Sequence, residues 1–310
     1  MDEANTWAGA VPVEGLTTDG ISATPPVSSD ASEAGRGVPR ALRRSLSAVR
    51  VEVRRPTARF RALPDFLILG AQRSGTTSLY QYLAAHPAIA PPVRKEIQYL
   101  TLRHRRGIGW YRAHFPRARP GRVTFEATPY YLFHPLAPAR AAAGLPDAKL
   151  IALLRNPVTR AFSHWQHNAQ RGLDSLAFED ALDAETDRLA GEAERLVADP
   201  SSRSDAHRLW SYAARGRYAD QLERWLACYP RDQLLILLSE DLYERPAATH
   251  ARALEFLGLP TLTLASYPRY TRRTSDVTMA ASTGRRLADH FRADNERLAG
   301  LIGRDPGWND

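Results

Sequence analysis

The chain has 310 residues and a formal net charge of +8, with 44% apolar and 25% charged residues. This is ordinary for a globular protein, and the length allows one large α/β domain with an extension, or two small domains. The charge suggests an anionic partner, but nine arginines and one acid lie between Arg36 and Arg61, so the remainder is near neutral. The remainder therefore gives no reason to expect nucleic acid as a partner.

No part of the sequence has the features of a membrane span or a secretory signal. Every apolar run falls short of the roughly 18–20 residues that a membrane helix needs. Residues 1–20 are acidic, whereas a signal peptide begins with basic residues followed by an apolar stretch. Cys228 is the only cysteine, which excludes a disulfide within the chain and suggests a small buried side chain in a reducing compartment. We therefore expect a soluble, cytoplasmic protein.

The first 61 residues differ in composition from the rest of the chain. Residues 1–38 are rich in Ala, Gly, Pro, Ser, Thr and acids without periodicity, which predicts disorder. In residues 39–55, apolar residues recur at helical spacing among arginines. This pattern allows a basic amphipathic helix, with weak contact of the basic segment 36–61 to a membrane surface, or a solvated helix or flexible linker, which we favour. We therefore treat residues 1–61 as a disordered, basic extension.

Apolar runs alternate with helical stretches from Asp65 onward. Strands are predicted at residues 66–69, 122–126, 148–154 and 233–238. Helices are predicted at residues 76–85, 158–171, 177–194, 218–228, 247–256 and 283–301, with a polar loop at 190–211. This alternation predicts the α/β class, with a P-loop-like, mostly parallel sheet flanked by helices.

A glycine-rich turn follows the first predicted strand. Gly70 and Gly75 have the spacing of a P-loop, but Thr76 stands where nucleotide triphosphatases have lysine. The glycines let the backbone close around an anion, and the amides that open the next helix would bind it. The turn thus predicts a phosphate site made of Arg73, Ser74, Gly75, Thr76, Thr77 and Ser78.

A second candidate anion site follows the third predicted strand. That strand ends in Arg155-Asn156-Pro157, and Ser163 lies on the next helix, which Asn156 would cap. Arg155 would point into the crevice at the carboxyl edge of the sheet, where open α/β sheets bind ligands. A surface ion pair is the alternative for Arg155, but two such motifs, each at the end of a strand, favour a second phosphate site.

Together the two motifs resemble those of sulfotransferases that use 3′-phosphoadenosine 5′-phosphosulfate (PAPS), in particular the heparan sulfate N- and O-sulfotransferase domain. Residues 73–79 are similar to the family's 5′-phosphosulfate loop K-x-G-T-T-x-L, with Arg73 in place of lysine. Residues 155–163 are similar to its 3′-phosphate motif R-[ND]-P-x-x-R-x-x-S. The resemblance implies a sulfotransferase domain at 62–310, PAPS as donor, PAP as product and no required metal, with Arg155 and Ser163 on the 3′-phosphate.

Residues 94–100 resemble the segment in which a glutamate of these enzymes acts as a base, and the matching residue is Glu96. A positioned carboxylate that takes the acceptor's proton accelerates a reaction on the order of 10²–10⁴-fold. The resemblance gives Arg73 the task of stabilising charge on the leaving phosphate, which arginine can polarise but not protonate. From the residues alone, a salt bridge of Glu96 with Lys95 or Arg94 would be preferred.

Three further segments extend the resemblance. In residues 125–131, Ala127 stands where the eukaryotic heparan enzymes have a lysine near the acceptor, so their acidic-sugar specificity is not transferred. Tyr218 belongs to the family's G-x-Y and either lines the cofactor site or packs. The family's basic cofactor loop corresponds to Arg272 and Arg273. Adenine could stack on an aromatic residue of the same region, Tyr267 or Tyr270.

Two other functions remain open at the level of sequence. A P-loop kinase for a small metabolite would need Mg²⁺ held by an acid, and the missing loop lysine argues against it. A non-enzymatic binder tethered by its basic segment would leave the two phosphate motifs without a task. His164 and His167 lie about one helical turn apart, but no third ligand is suggested, so no metal site is expected. The acceptor could be a glycan, a glycolipid or a secondary metabolite.

Overall fold

The computed structural model describes residues 40–270 and 277–309, with the backbone alone at residues 40–44. In this part of the chain a parallel sheet has the order β2-β1-β3-β4. The strands are β1 (Phe66–Gly70), β2 (Phe125–Ala127), β3 (Lys149–Leu154) and β4 (Leu234–Leu238). In the register, Phe66 lies between Phe125 and Lys149, and Leu150 pairs with Leu234. The predicted α/β class with a P-loop-like parallel sheet is confirmed.

Helices surround the sheet. In chain order they are α1 (Arg40–Arg54), α2 (Thr76–Ala84), α3 (Gly107–Arg112), α4 (Ala137–Gly144), α5 (Pro157–Ala169), α6 (Phe178–Asp183), α7 (Glu185–Leu189), α8 (Glu192–Ala198), α9 (Asp205–Leu209), α10 (Tyr218–Leu226), α11 (Ser239–Glu244), α12 (Pro246–Leu257) and α13 (Ala281–Ile302). Short 3₁₀ segments occupy Arg55–Phe60, His104–Arg106, Ala214–Gly216 and Arg231–Gln233.

The sheet separates two hydrophobic cores because successive strand side chains point to opposite faces. On one face Leu67 of β1 packs in a cluster with Trp225 of α10. On the other face Phe66 and Ile68 pack in a cluster with Leu79 of α2. Strands covered on both sides read as continuous apolar runs, which is the pattern the sequence shows.

The strand order brings the carboxyl ends of β1 and β3 side by side. From β1 the chain proceeds to β2 on one side and later returns to β3 on the other, which makes a topological switch point. Open parallel sheets bind their ligands in the crevice at such a point. The two predicted phosphate motifs follow these two strands, so they face the same crevice.

The basic segment before the sheet differs from the disordered extension predicted for residues 1–61. Helix α1 and a 3₁₀ segment cover residues 40–60, and Val51 is 2% exposed within the main core. Arg61 forms an antiparallel bridge with Arg117. Because these contacts join distant parts of the chain, packed structure begins well before the predicted boundary at Ala62. Residues 1–39 lie outside the described residues.

Three local predictions were wrong. The stretch 190–211, predicted as a loop, contains α8 and α9, and the single helix predicted at 177–194 is divided among α6, α7 and the start of α8. Gly191, at φ +70°, precedes α8, and the side chain of Ser204 caps α9. Such short, capped helices lack the long apolar period that reveals a helix in a sequence. Cys228, expected to be buried, is exposed.

Among the helices of residues 40–270 and 277–309, none has the length and apolar character that crossing a lipid bilayer requires.

Candidate active site

The turn between β1 and α2 has the geometry of an anion-binding loop. Gly75 has φ +94°, and a Cβ there would lie 2.7 Å from the Tyr243 hydroxyl, so both conformation and space require glycine. Arg73 also adopts a left-handed conformation, with φ +71°. The amides that open α2 have no acceptor within the helix and carry its positive dipole end. Ser74 is fully buried, and its hydroxyl has no hydrogen-bond partner among the described residues.

The two predicted phosphate motifs meet through direct hydrogen bonds. Nε of Arg73 donates to Oγ of Ser163 at 3.1 Å, and Nη1 of Arg155 donates to the carbonyl of Arg73 at 3.1 Å. Arg155 is also held by Thr159, whose Oγ1 accepts from Nε at 3.1 Å. Burial lowers the pKa of the Arg73 guanidinium, and the nearby positive charge of Arg155 lowers it further. Two partly buried cations of like charge make this crevice suited to an anion.

Tyr218 supports this site from beneath rather than lining it. Its side chain is 1% exposed, and its hydroxyl donates to the carbonyl of Arg155 at 2.8 Å. The ring also packs against Trp308, with centroids 5.9 Å apart. Of the two sequence interpretations of Tyr218, the structure therefore favours packing.

The predicted base lies beside the phosphate loop. The Glu96 amide donates to the carbonyl of Ala127 at 3.1 Å, and its side chain is 49% exposed. One carboxylate oxygen lies 3.5 Å from Nζ of Lys95, which in turn donates to Oγ1 of Thr77 at 3.0 Å. The salt bridge considered as an alternative role for Glu96 thus exists, and it links the carboxylate to the start of α2.

Lys95 is the functional candidate that sequence reasoning missed. Its side chain is 20% exposed. Burial lowers the pKa of its ammonium group, while the charge of Glu96 and their hydrogen bond raise it. Its contact with Thr77 puts a lysine on the phosphate loop, although the loop sequence has arginine where the family has lysine. The signal in the sequence was that Lys95 is one of only two lysines, the other being Lys149.

A buried carboxylate braces the loop that carries Glu96. Glu126 accepts hydrogen bonds from the hydroxyls of Tyr111 (2.5 Å), Tyr131 (2.8 Å) and Thr128 (2.7 Å), and from the amide of Gln98 at 3.3 Å. Burial raises the pKa of this carboxyl, and the four hydrogen bonds oppose the rise. Since Gln98 has φ +65° and Glu96 has φ +59°, the bond to Gln98 helps to fix an unusual backbone.

Arg215 braces the phosphate loop from the interior. It is 3% exposed, and its guanidinium donates to the side-chain carbonyl of Gln72 within the loop. Burial lowers the pKa of Arg215 to about 9. The guanidinium also lies over the rings of Tyr130 and Phe133, at 4.9 and 5.1 Å from their centroids. The sequence gave no indication of this role for Arg215.

A basic cleft of about 600 Å³ adjoins the segment that carries Glu96. It is formed by α1, the loop at 94–106 and the turn at 200–203. The charged and aromatic residues that line it are Glu52, Arg94, Arg103, His104, Arg105, Arg106, Trp110, His114 and Arg203. In β2, Ala127 is fully buried, so it offers nothing to a ligand in this cleft.

The remaining predicted site residues have mixed outcomes. Arg272 and Arg273 lie outside the described residues. Tyr270, just before them, donates its amide to Oγ of Ser78 at 3.2 Å and is 43% exposed. The Tyr267 ring instead packs edge-on against Tyr82, with centroids 5.0 Å apart.

Histidines and acids do not form a metal site in the described part of the chain. No group of three or more His, Cys, Asp or Glu residues there could hold a metal ion. His164 is fully buried, and burial holds the pKa of its imidazole well below the usual range.

Comparison with known proteins identifies close relatives. Residues 63–282 match the family described as "Sulfotransferase domain". Heparan sulfate glucosamine 3-O-sulfotransferase 3B1 of Mus musculus is 30% identical over 270 residues, which cover 80% of this chain and 65% of that protein. Bifunctional heparan sulfate N-deacetylase/N-sulfotransferase 1 of Caenorhabditis elegans is 31% identical over 217 residues, which cover 68% of this chain and 24% of that protein.

A solved structure agrees with these matches. The sulfotransferase from Alicyclobacillus acidocaldarius superposes with a TM-score of 0.65 and 30% sequence identity. The superposition covers 80% of this chain and 100% of that chain.

Proposed function

Because the chain belongs to the sulfotransferase domain family, we propose that it transfers a sulfuryl group from PAPS to a hydroxyl or amine of an acceptor. One observation carries the proposal. The guanidinium groups of Arg73 and Arg155 and the hydroxyl of Ser163 converge beside the open amides of the phosphate loop. PAPS carries a phosphate at the 3′ position of its ribose and a phosphosulfate at the 5′ position, so one donor molecule would contact both motifs.

The residues of the crevice fit such a donor. The Ser74 hydroxyl is buried without a partner among the described residues, which suits a group that accepts hydrogen bonds. The residues that would hold the 5′-phosphosulfate are Arg73, Ser74, Gly75, Thr76, Thr77 and Ser78. The 3′-phosphate would contact Arg155 and Ser163. When bound, PAPS supplies the sulfuryl group, whose bond to the acceptor forms as its bond to the 5′-phosphate breaks.

Glu96 is proposed to accept the proton that the acceptor hydroxyl or amine loses. Its side chain is half exposed at the edge of the crevice, where an acceptor can reach it. The amide of Glu96 donates to the carbonyl of Ala127, and the amide of Gln98 donates to Glu126, so the backbone that carries Glu96 is held in place. A base must lie within hydrogen-bond reach of its proton, so this fixed backbone favours the role.

Lys95 is proposed to bind the phosphosulfate end of the donor. Its ammonium group contacts Thr77 on the loop and lies next to Glu96, at the junction of donor and acceptor. A fixed cation there would stabilise the negative charge that grows on the leaving phosphate. Arg73 would supply a second charge from the other side of the loop. The lysine absent from the loop sequence is thus replaced by one from a neighbouring segment.

The acceptor class we propose is a glycan. By their names, the relatives act on heparan sulfate, and the cleft beside the Glu96 segment is wide enough for sugar residues. Its arginines, Arg94, Arg103, Arg105, Arg106 and Arg203, would favour a glycan that carries acidic groups. This interpretation revises the sequence argument, which declined acidic-sugar specificity because Ala127 replaces a lysine.

Calorimetric titration with PAP and with ADP, each with and without Mg²⁺, tests the proposed function. We expect PAP to bind more tightly than ADP and without a requirement for metal. In the variant Arg155→Ala, PAP affinity should fall much more than ADP affinity, because ADP lacks the 3′-phosphate. The control Arg252→Ala, an exposed arginine on α12, should leave both affinities unchanged. Tighter binding of ADP that requires Mg²⁺ would contradict the proposal and support the small-molecule kinase.

A further inference from the structure

Helix α1 exposes an apolar stripe on the side turned away from the domain. Leu46, Val49 and Val53 are 57%, 62% and 74% exposed. At 100° per residue these three side chains lie within about 60° of one another. Val51, which is buried in the core, points to the other side of the helix. Phe60, 56% exposed, adds a ring at the end of the following 3₁₀ segment.

Arginines border this stripe. Arg50 and Arg54 lie on α1 along one edge of it. The bridge between Arg61 and Arg117 brings a second basic segment to the same region, and Ala118 donates its amide to the carbonyl of Phe60 at 3.3 Å. The result is one continuous surface of apolar and basic side chains.

A concavity of about 330 Å³ lies within the basic part of this surface. Its charged lining consists of Arg54, Arg61, Arg117, Arg119 and Arg122, with no acidic residue among the described residues that line it. Burial and the charge of Arg117 lower the pKa of Arg61, as expected where cations crowd without counter-ions. An anionic partner would relieve this repulsion.

We propose that this surface, the docking face (Leu46, Val49, Arg50, Val53, Arg54, Phe60, Arg61, Arg117, Arg119 and Arg122), binds an anionic lipid bilayer. Apolar side chains flanked by arginines are the composition of helices that lie in a membrane interface. The methylene groups of the arginine side chains would stay beside the apolar residues, while the guanidinium groups reach the lipid phosphates. A nucleic acid would match the charge but would leave Leu46, Val49 and Val53 exposed, so the observations favour lipid.

Sedimentation of the full chain with lipid vesicles tests the proposal. We expect binding to vesicles of phosphatidylcholine mixed with phosphatidylglycerol, weaker binding at raised salt, and no binding to phosphatidylcholine alone. The variant Val49→Asp/Val53→Asp should reduce binding at least tenfold, because each aspartate removes an apolar contact with the bilayer and adds a negative charge that the anionic lipids repel. Its matched control is Val197→Asp, which changes a valine that is 53% exposed on α8 and should bind as the unchanged chain does.

A second variant tests the charges separately. Replacing Arg117, Arg119 and Arg122 by glutamine should weaken binding by roughly five-fold per arginine. The control replaces Arg252 of α12 and Arg285 of α13, which are exposed and not part of the docking face, by glutamine and should have no effect. Circular dichroism and thermal melting of every variant show whether the fold is retained, so the outcome does not depend on the sulfotransferase proposal.

Three results would overturn the inference. One is failure of the unchanged chain to bind the mixed vesicles. Another is equal binding by the Val49→Asp/Val53→Asp variant and its Val197→Asp control. The third is salt-sensitive binding to duplex DNA that exceeds binding to vesicles, which would assign the arginines to nucleic acid.

Discussion

Replacing Lys95 by methionine tests whether this lysine, which lies on a segment next to the phosphate loop, binds the phosphosulfate. Methionine preserves the length and apolar contacts of the side chain while it removes the charge and the hydrogen bond to Thr77. If Lys95 contacts the phosphosulfate, PAP should bind more weakly and turnover should fall. If Lys95 only pairs with Glu96, PAP affinity should be retained or improved, because a cation and its desolvation cost are removed.

The magnitude follows from the geometry. Nζ lies 3.0 Å from Oγ1 of Thr77, and the Lys95 side chain is only 20% exposed, so a loop-bound phosphate could accept a charge-assisted hydrogen bond. Such bonds contribute about 1.5–3 kcal/mol. Since about 1.36 kcal/mol corresponds to a factor of ten, Lys95→Met should weaken PAP binding by roughly 10- to 150-fold. Lys95→Arg, which restores a positive charge, should recover part of the loss.

The chain offers a matched control in its second lysine. Lys149 lies at the amino end of β3, opposite the crevice, and donates to the carbonyl of Phe256 at 2.6 Å. Lys149→Met should leave PAP affinity unchanged in the same calorimetric titration. Labelling with an amine-specific reagent and mass spectrometry gives an independent measurement, in which PAP should protect Lys95 but not Lys149. Unchanged PAP affinity in Lys95→Met together with unprotected Lys95 would refute the reasoning.

Three further predictions concern the base, its brace and the response to pH. Glu96→Gln should lower turnover on the order of 10²–10⁴-fold while calorimetry finds PAP affinity nearly unchanged; unchanged turnover would remove Glu96 as base. Glu126→Gln should lower the melting temperature through a loss of about 1–3 kcal/mol and reduce turnover more than PAP affinity; an unaltered melting curve would contradict the brace. Burial lowers the pKa of His134 to about 3 and of His207 to about 2. Below pH about 6.5 these histidines become protonated in the unfolded chain but stay neutral in the folded one, so the free energy of unfolding should fall as the pH drops. A smaller fall in the variant His207→Gln would check the cause.

The arrangement of the sheet could be predicted because its signals are local. Strands β1, β3 and β4 carry apolar runs. After β3 comes the capping residue Asn156, whose side chain accepts from the amide of Val158 at 3.0 Å. The start of β2 was less well predicted. Val123 forms only an isolated bridge with Ile89, so the strand begins at Phe125. Short helices such as α8 and α9 were missed because their caps, not their apolar period, define them.

The basic segment shows a different limit. Its helical period was visible, but a solvated helix and a docked helix have the same period. The difference depends on the burial of Val51 against residues far along the chain, and on the bridge between Arg61 and Arg117. Neither contact can be predicted from the local sequence, so the packing of α1 against the domain was missed.

The positions of the two motifs after β1 and β3 could be predicted, whereas the contacts of Lys95 and Glu126 could not. A sequence motif contains the residues of one turn, whereas the charge at an anion site comes from side chains of every element that borders the site. Lys95 contacts Thr77 from a segment whose backbone is left-handed at Glu96 and Gln98, and the amide of Gln98 donates to the buried Glu126.

The exchange of lysine for arginine in the loop has a chemical consequence. Arg73 remains charged at every accessible pH, so it offers the donor a constant attraction. Lys95 is the titratable cation on the loop, and burial lowers its pKa. A bound phosphosulfate favours its charged form, so donor affinity should decline as pH rises through that lowered pKa. In this chain the pH dependence of donor binding would therefore come from Lys95, which lies next to the proposed base Glu96.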